Sequence, residues 1–272
     1  MSHGIKVTKK KDIIYYTVQS FEEQGGVIHG FSARHGGVSL PPFASLNLGF
    51  HTGDNPEAVK ENRIKFCNVL GIDPAKLVTA EQVHSDKVAV VTTKDAGAGA
   101  LSTTGALVAT DAMITREQVP LMAFYADCVP ILIYDPVVKA VGVVHSGWSG
   151  TVLQIAAKTI RTMAQEFRTD PANCLIGIGP SIGPCCYEVD DKVIDKVKAV
   201  FPYWQDLLED KGNGHWNLDL WEINRQSLIE AGVPAENITV SGVCTKCNSE
   251  LLFSYRGEHG TTGRLAAVIM IK

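Results

Sequence analysis

The sequence predicts an α+β fold, one domain over residues 1–272, with mixed β-sheets and helices packed outside them. Three observations lead there. Residues 76–145 are dominated by strand-like runs. Helical periodicity is confined to a few separated segments. The two kinds of segment do not alternate as a Rossmann-type βαβ sheet requires. A chain of 272 residues can bury a sizeable core, and neither a repeat nor a break in composition divides it.

Taken in order, IIYYTV and GVIHGFSA are strand-like and flank the turn-like EEQGG. Residues 34–54 (RHGGVSLPPFASLNLGFHTGD) read as a long ordered loop, and loops of that length inside a domain tend to be functional. Asn55 and Pro56 then open a helix as N-cap and first residue, Val59, Ile64, Phe66 and Leu70 supply its apolar positions, and Gly71 closes it. KLVTAEQV, KVAVVTT, DAMIT, VPLMAFYA, PILIYD and KAVGVVH follow as strands, several of them apolar throughout, as expected where both faces are covered. GAGALSTTGALVAT between them reads as a flexible, exposed loop. Residues 151–167 form the clearest helix, with Val152, Ile155, Ala156, Ile160 and Met163 on one face. The strand CLIGIGP, helices over 191–200 and 218–231, and the strands ITVSGVC and LAAVIMI complete the chain.

Twenty-five basic against 29 acidic residues leave a formal net charge of −4, which excludes a nucleic-acid footprint spread over the chain. No apolar run approaches the ~18 residues of a membrane span. The start, MSHGIKVTKKKD, lacks the apolar centre of a secretory signal, so a cytoplasmic setting is expected. The seven cysteines then read as reduced thiols, metal ligands or a nucleophile rather than a disulfide framework.

Three segments place a ligand-type residue beside a strand end: His84 in EQVHSDKV, Cys128 in FYADCVPILIYDP and His145 in VGVVHSGWSGT. Cys128 and His145 are 17 residues apart, which allows a strand, a turn and a returning strand that brings both to one sheet end. Two imidazoles and a thiolate suit Zn²⁺, leaving a fourth position for an activated water. A Cys–His nucleophile pair is a second reading, and simple burial of each residue a third. Spacing does not choose among them.

The remaining candidates carry less. Cys185-Cys186 is not expected to supply two ligands to one metal, since neighbouring strand side chains point apart. Cys244 and Cys247 form a lone CxxC, expected to be structural. SGWSG has Trp148 where a nucleophile elbow needs serine, so it reads as a turn into a helix whose N-terminus can meet an anion. His35 and His51 are candidates for a pocket wall but are expected to be solvated. Arg256 and Arg264 flank a glycine-rich turn and are candidates for holding phosphate.

QVHSD, ADCVPILIYD, GVVHSGWSGT, GPSIGPCCYEV and FSYRGEHGTTGR, in that order, closely resemble the motifs of the YfiH/YlmD family, whose members are often labelled laccase-domain or polyphenol-oxidase proteins. The resemblance runs from about Gly30 to the C-terminus. It implies a layered α/β/β/α arrangement, similar to the toxin deamidase-like Cys–His fold. It implies that His84, Cys128 and His145 bind zinc, with copper as the other candidate, and form the active centre, and that Arg34 and Asn47 of the RxGGxS…SLNLG loop approach the substrate. The implied activity is phosphorolysis of adenosine, inosine and methylthioadenosine, with adenosine deamination as a further reaction. Its partners are therefore a small nucleoside and phosphate. One departure is Ser149, where the family more often has Arg.

Asp127, beside the thiolate, is the candidate proton carrier or supporting residue, and Arg34, Arg256 and Arg264 are the cations available for phosphate. Four-copper oxidase chemistry is excluded on residues, since the chain has 8 histidines and no His-x-His pair. The alternatives are an amidohydrolase that edits peptidoglycan precursors at the same centre, a single-copper polyphenol oxidase, and a metal-binding module without activity. The usual deaminase signature, H-x-E with P-C-x-x-C, is absent, so a deaminase centre here is of another kind.

Overall fold

Strands that are apolar throughout belong in a sheet covered on both faces, and alternation then assigns each side chain to one of two cores. The computed structural model, which describes residues 4–272, is built this way. Residues 1–3 of the start segment lie outside the described residues.

One five-stranded antiparallel sheet has the order β1 (Ile5–Lys10), β2 (Ile13–Val18), β3 (Val27–Ser32), β14 (Leu265–Ile271), β6 (Leu121–Tyr125). A six-stranded mixed sheet has the order β13 (Ile238–Val240), β9 (Leu175–Ile178), β7 (Val129–Asp135), β8 (Ala140–Ser146), β5 (Ala112–Thr115), β4 (Val88–Val90). In it β13 runs parallel to β9 and β4 parallel to β5, and the other neighbours are antiparallel. A small antiparallel sheet joins β10 (Glu188–Asp190), β12 (His215–Leu218) and β11 (Leu208–Gly212).

The two large sheets enclose a core between them. Leu121, Ala123 and Tyr125 of β6, with Leu265, Ala267 and Ile269 of β14, meet Leu132, Tyr134, Val141 and Val143 of β7 and β8. The alternate residues turn outward. Ile131, Ile133 and Val144 pack under α4 (Ile155–Phe167), α5 (Asp191–Val200) and α6 (Leu220–Glu230), whose Ile160, Met163, Ile194, Ile223 and Leu228 share that core. On the far side Met122, Phe124, Ala266 and Val268 pack against Phe66, Cys67 and Val69 of α2 (Pro56–Leu70) and Leu46 and Leu48 of the long loop. The layers are therefore α/β/β/α. Among the described residues, no helix is long and apolar enough to cross a membrane.

Helix α2 follows its signals, with the Asn55 side chain accepting the Glu57 N–H at 3.0 Å and Gly71 closing in the left-handed region at φ 79°. Helix α5 occupies 191–200 as expected. Other elements depart from the sequence reading. The 151–167 helix is two pieces, α3 (Trp148–Val152) and α4, separated where Gln154 takes φ 56°. With only five residues, α3 is too short to present a helix-terminus anion site. KLVTAEQV makes only isolated bridges at Val78 and Ala80, and Gln82 pairs with the Phe124 backbone through its side chain instead. EEQGG begins with the last half of a short helix, α1 (Gln19–Gln24), and turns at Gly25. The 97–110 loop is exposed over 102–105 and at Val108, as expected, while Gly99, Ala100 and Thr110 anchor it as buried residues.

His29 of β3 is buried against the Phe21 ring, and its Nε2 accepts the Val18 N–H at 2.8 Å. Burial holds the imidazole down to about 4 from 6.5, against the pull of the Glu22 carboxylate. The unfolded chain therefore takes the proton first as pH falls. Stability is complete above about 6.5 and is lost down to about 4, by roughly 3 kcal/mol for this group. The urea midpoint should fall across that window, and His29→Gln, which retains an acceptor but does not titrate, should flatten the fall.

Candidate active site and metal centre

A single buried carboxylate organises the two histidines. Asp111, just before β5, is 2% exposed. Its oxygens accept the backbone N–H groups of Val83 (3.2 Å), His84 (3.0 Å) and Ser85 (2.8 Å) and the Ser85 hydroxyl (2.8 Å). That cluster of donors holds His84 in the left-handed region at φ 61°. The same carboxylate meets His145 Nδ1 at 2.9 Å, so the other ring nitrogen of His145 is the one left to face His84 and Cys128. Nothing in the pattern DAMIT singles out Asp111, because its partners come from a turn 26–28 residues earlier. Its signal is a polar residue entering an apolar strand.

Cys128 lies at the β6–β7 corner and His145 at the end of β8, the strand paired with β7. Pro130 pairs directly with His145, so the sheet register brings the thiol and imidazole to one edge. Cys128 Sγ is 3.7 Å from His84 Nε2, the two imidazole rings are 4.9 Å apart, and the ligand atoms of all three residues lie within 4.8 Å of one another. Gly147 makes room for this: a Cβ there would stand 2.8 Å from the His84 ring and 3.0 Å from the sulfur.

Burial raises the Cys128 thiol, but His145 and His84 beside it outweigh that and bring it down to about 6. Burial likewise opposes the His145 imidazolium, yet the Cys128 thiolate and Asp111 lift it to about 9. Desolvation of Asp111 is outweighed by its donors from His145 and Ser85, which hold it near about 2. A thiolate and two imidazoles facing one point form a donor set that suits zinc or copper. Among the described residues this group and one made by four cysteines are the places where metal-binding side chains converge.

The three residues sit at the foot of a cavity of about 1060 Å³ whose walls include Phe50, His51, Phe124, Tyr255 and Arg264. Arg63 is also part of its lining, 2% exposed, its guanidinium between the Phe50 and Phe124 rings at 4.3 and 4.4 Å and bonded to the carbonyls of Leu48, Gly99 and Ala100. Of the expected substrate residues, only Arg264 reaches this cavity. Arg34 is spent on the carbonyls of Ala44 and Ser249 and on Glu258, over the Phe253 ring. Asn47 is fully buried and donates to Thr52 and Asp54 while accepting from Gly49 and Arg264 N–H. These two build the 34–54 loop and do not line the cavity. Arg256 lies over Tyr187, in a separate depression beside Cys185 and Cys186. Asp127 takes φ 82° and gives both oxygens away, to the Thr245 hydroxyl and the Arg256 N–H, each at 2.6 Å. It lies outside the cavity wall. His51 does line it, whereas His35 contacts the Glu250 carbonyl outside.

Two sheets with a His–Cys–His edge define a laccase-like domain, and residues 28–272 match the family model described as multi-copper polyphenol oxidoreductase laccase. The chain belongs to this family, which includes the YfiH and YlmD proteins. It is 40% identical over 256 residues to a Bacillus subtilis protein named purine nucleoside phosphorylase YlmD, covering 93% of this chain and 92% of that one. The crystal structure of YlmD from Geobacillus stearothermophilus superposes with a TM-score of 0.94 at 37% identity, over 99% of each chain. That of the Bacillus licheniformis protein YfiH gives 0.93 at 38%, over 98% of this chain and 99% of that one.

Asp111→Asn replaces an acceptor of N–H groups with one that must turn an NH₂ toward them. Metal affinity should fall about 10–100-fold. In metal-stripped protein the pH midpoint for Cys128 alkylation should rise from about 6, because His145 loses the charge that sustains it as a cation. An unmoved midpoint would contradict this role.

Proposed function

We propose that the chain is a purine nucleoside phosphorylase acting on adenosine, inosine and methylthioadenosine, with adenosine deamination as a second reaction, at a zinc centre of His84, Cys128 and His145. The observation that carries this reading is the placement of those three residues at the foot of a cavity with aromatic walls and one free-facing cation. The names of the relatives support the same class. When bound, zinc would act there as a Lewis acid toward substrate or water.

The chain's own groups account for binding. A volume of about 1060 Å³ accommodates a nucleoside together with phosphate. Phe50, Phe124 and Tyr255 offer flat apolar faces to a purine. Arg264 spends one nitrogen on the Thr262 and Gly263 carbonyls, which leaves the rest of its guanidinium for an anion. In phosphorolysis the bond from C1′ to the purine nitrogen breaks and a phosphate oxygen takes its place at C1′. Asp111 keeps His145 oriented, and Asp127, Arg34 and Asn47 act as positioning residues that hold the surrounding turns. We also read residues 1–272 as one functional domain. We place it in the cytoplasm on the strength of seven cysteines that are all free thiols.

His84→Ala and Cys128→Ala should each abolish inosine phosphorolysis while the far-UV circular dichroism stays that of the parent chain. Activity should require phosphate and release ribose 1-phosphate. Arg264→Gln should raise KM for phosphate at least about tenfold, the loss of one charge-assisted contact. Full turnover in the His84 or Cys128 variant would sink the assignment. Release of an amino acid from a muropeptide, with none of the phosphorolysis, would favour the editing amidohydrolase.

A further inference from the structure

Four cysteines that the proposed chemistry leaves idle converge at one end of the six-stranded sheet. Strands β9 and β13 are parallel neighbours, so the chain leaves both at the same edge and makes a turn there. The first turn holds Cys185 and Cys186, the second Cys244 and Cys247. Ser181 ties them together: its N–H donates to the Val243 carbonyl (3.2 Å) and its carbonyl accepts the Thr245 N–H (3.0 Å). Gly183 lets the turns touch, since a Cβ there would stand 3.2 Å from the Cys244 Cβ and 2.7 Å from the Trp221 ring. The N–H groups of Cys186 and Tyr187 both close onto the Gly183 carbonyl. Residues 185–186 are therefore a tight turn and not a strand, which overturns the expectation that their side chains point apart.

The sulfur of Cys247 is 3.5 Å from that of Cys185 and 3.4 Å from that of Cys186, and all four sulfurs lie within 4.8 Å of one another. Disulfide sulfurs sit at about 2.05 Å, so none of these pairs is bonded. Four thiolates around one zinc at about 2.3 Å stand roughly 3.8 Å apart, a few tenths of an ångström beyond the two Cys247 pairs and inside the 4.8 Å that encloses all four sulfurs. We propose that Cys185, Cys186, Cys244 and Cys247 form a second metal site, a structural tetrathiolate zinc site separate from the His84–Cys128–His145 centre.

Four thiolates fill a tetrahedral ion, so this site offers no position to a substrate. Its loading releases the thiol protons and leaves a net charge of −2. Lys246 and Arg256 line the same depression as Cys185 and Cys186 and supply positive charge beside it. The site also has a structural reach. Thr245, inside the CxxC turn, donates to Asp127, and Asp127 immediately precedes Cys128. Zinc in the four-cysteine site thus fixes the turn behind the reaction centre.

The test is metal content, read independently of activity. Protein carrying His84→Ala and His145→Ala should retain one zinc per chain after purification without chelator. The same protein, stripped and loaded with Co²⁺, should show the intense thiolate-to-metal absorption of a tetrahedral all-sulfur site. Adding Cys185→Ser should remove that band. Cys244→Ser with Cys247→Ser in the otherwise parental chain should lose one zinc of two and unfold at lower temperature. If that variant fails to fold, the cobalt spectrum of the histidine variant decides the matter alone. A histidine variant that binds neither metal, or a Cys185–Cys247 disulfide found by mass spectrometry in the freshly isolated chain, would overturn the proposal.

Discussion

The His84–Cys128–His145 cluster depends on one carboxylate in the wrong place for a hydrophobic strand. Asp111 enters β5 beneath the sheet edge, and burying it is tolerable only because five donors satisfy it. Those donors come from two places: the turn that carries His84 and the ring of His145. Satisfying the charge and bringing the two imidazoles together are therefore one event. Cys128 needs no such help, since strand pairing between β7 and β8 delivers it beside His145.

The layers were legible because the strands are. A run such as PILIYD, apolar on successive residues, has no solvated face to offer, and β7 indeed divides its side chains between two cores. Helix α2 was legible through its caps. What escaped notice carries weaker patterns. Strand β11 is mostly exposed and charged, so it shows no apolar alternation, although the Asn213-Gly214 turn that follows, both residues at positive φ, is a recognised hairpin signal. The break at Gln154 interrupts a continuous apolar periodicity, which reports burial and not backbone direction. In the site, His84, Cys128 and His145 were named from motif and resemblance. Asp111 carries no local signal because its partners are distant in sequence, and the expectation that Arg34 and Asn47 face the pocket fails because their polar groups are spent on the 34–54 loop and on Ser249, Glu258 and the Arg264 N–H.

The family description speaks of several coppers. Among the described residues, the converging metal-binding groups hold two histidines between them, both in one cluster. The four-cysteine group is a soft all-sulfur set, suited to zinc or iron rather than to copper that cycles with oxygen. Behind the reaction centre the wall is unusually fixed: Arg63, sandwiched between two rings and bonded to three carbonyls, gives the aromatic side of the cavity a shape that side-chain rotation cannot readily change.

The segment that delivers His84 has a second consequence. β6 is an edge strand of the five-stranded sheet, and such edges invite pairing with other chains. Here the edge is occupied. Val78 bridges to Leu121, Met122 N–H donates to the Val78 carbonyl, and the Gln82 side chain bonds both the N–H and the carbonyl of Phe124 as a strand partner would. The segment that carries His84 is also the guard of the sheet. A chain in which it peels away takes His84 out of the cluster and exposes an adhesive edge in the same movement, so loss of the cluster and aggregation share a first step.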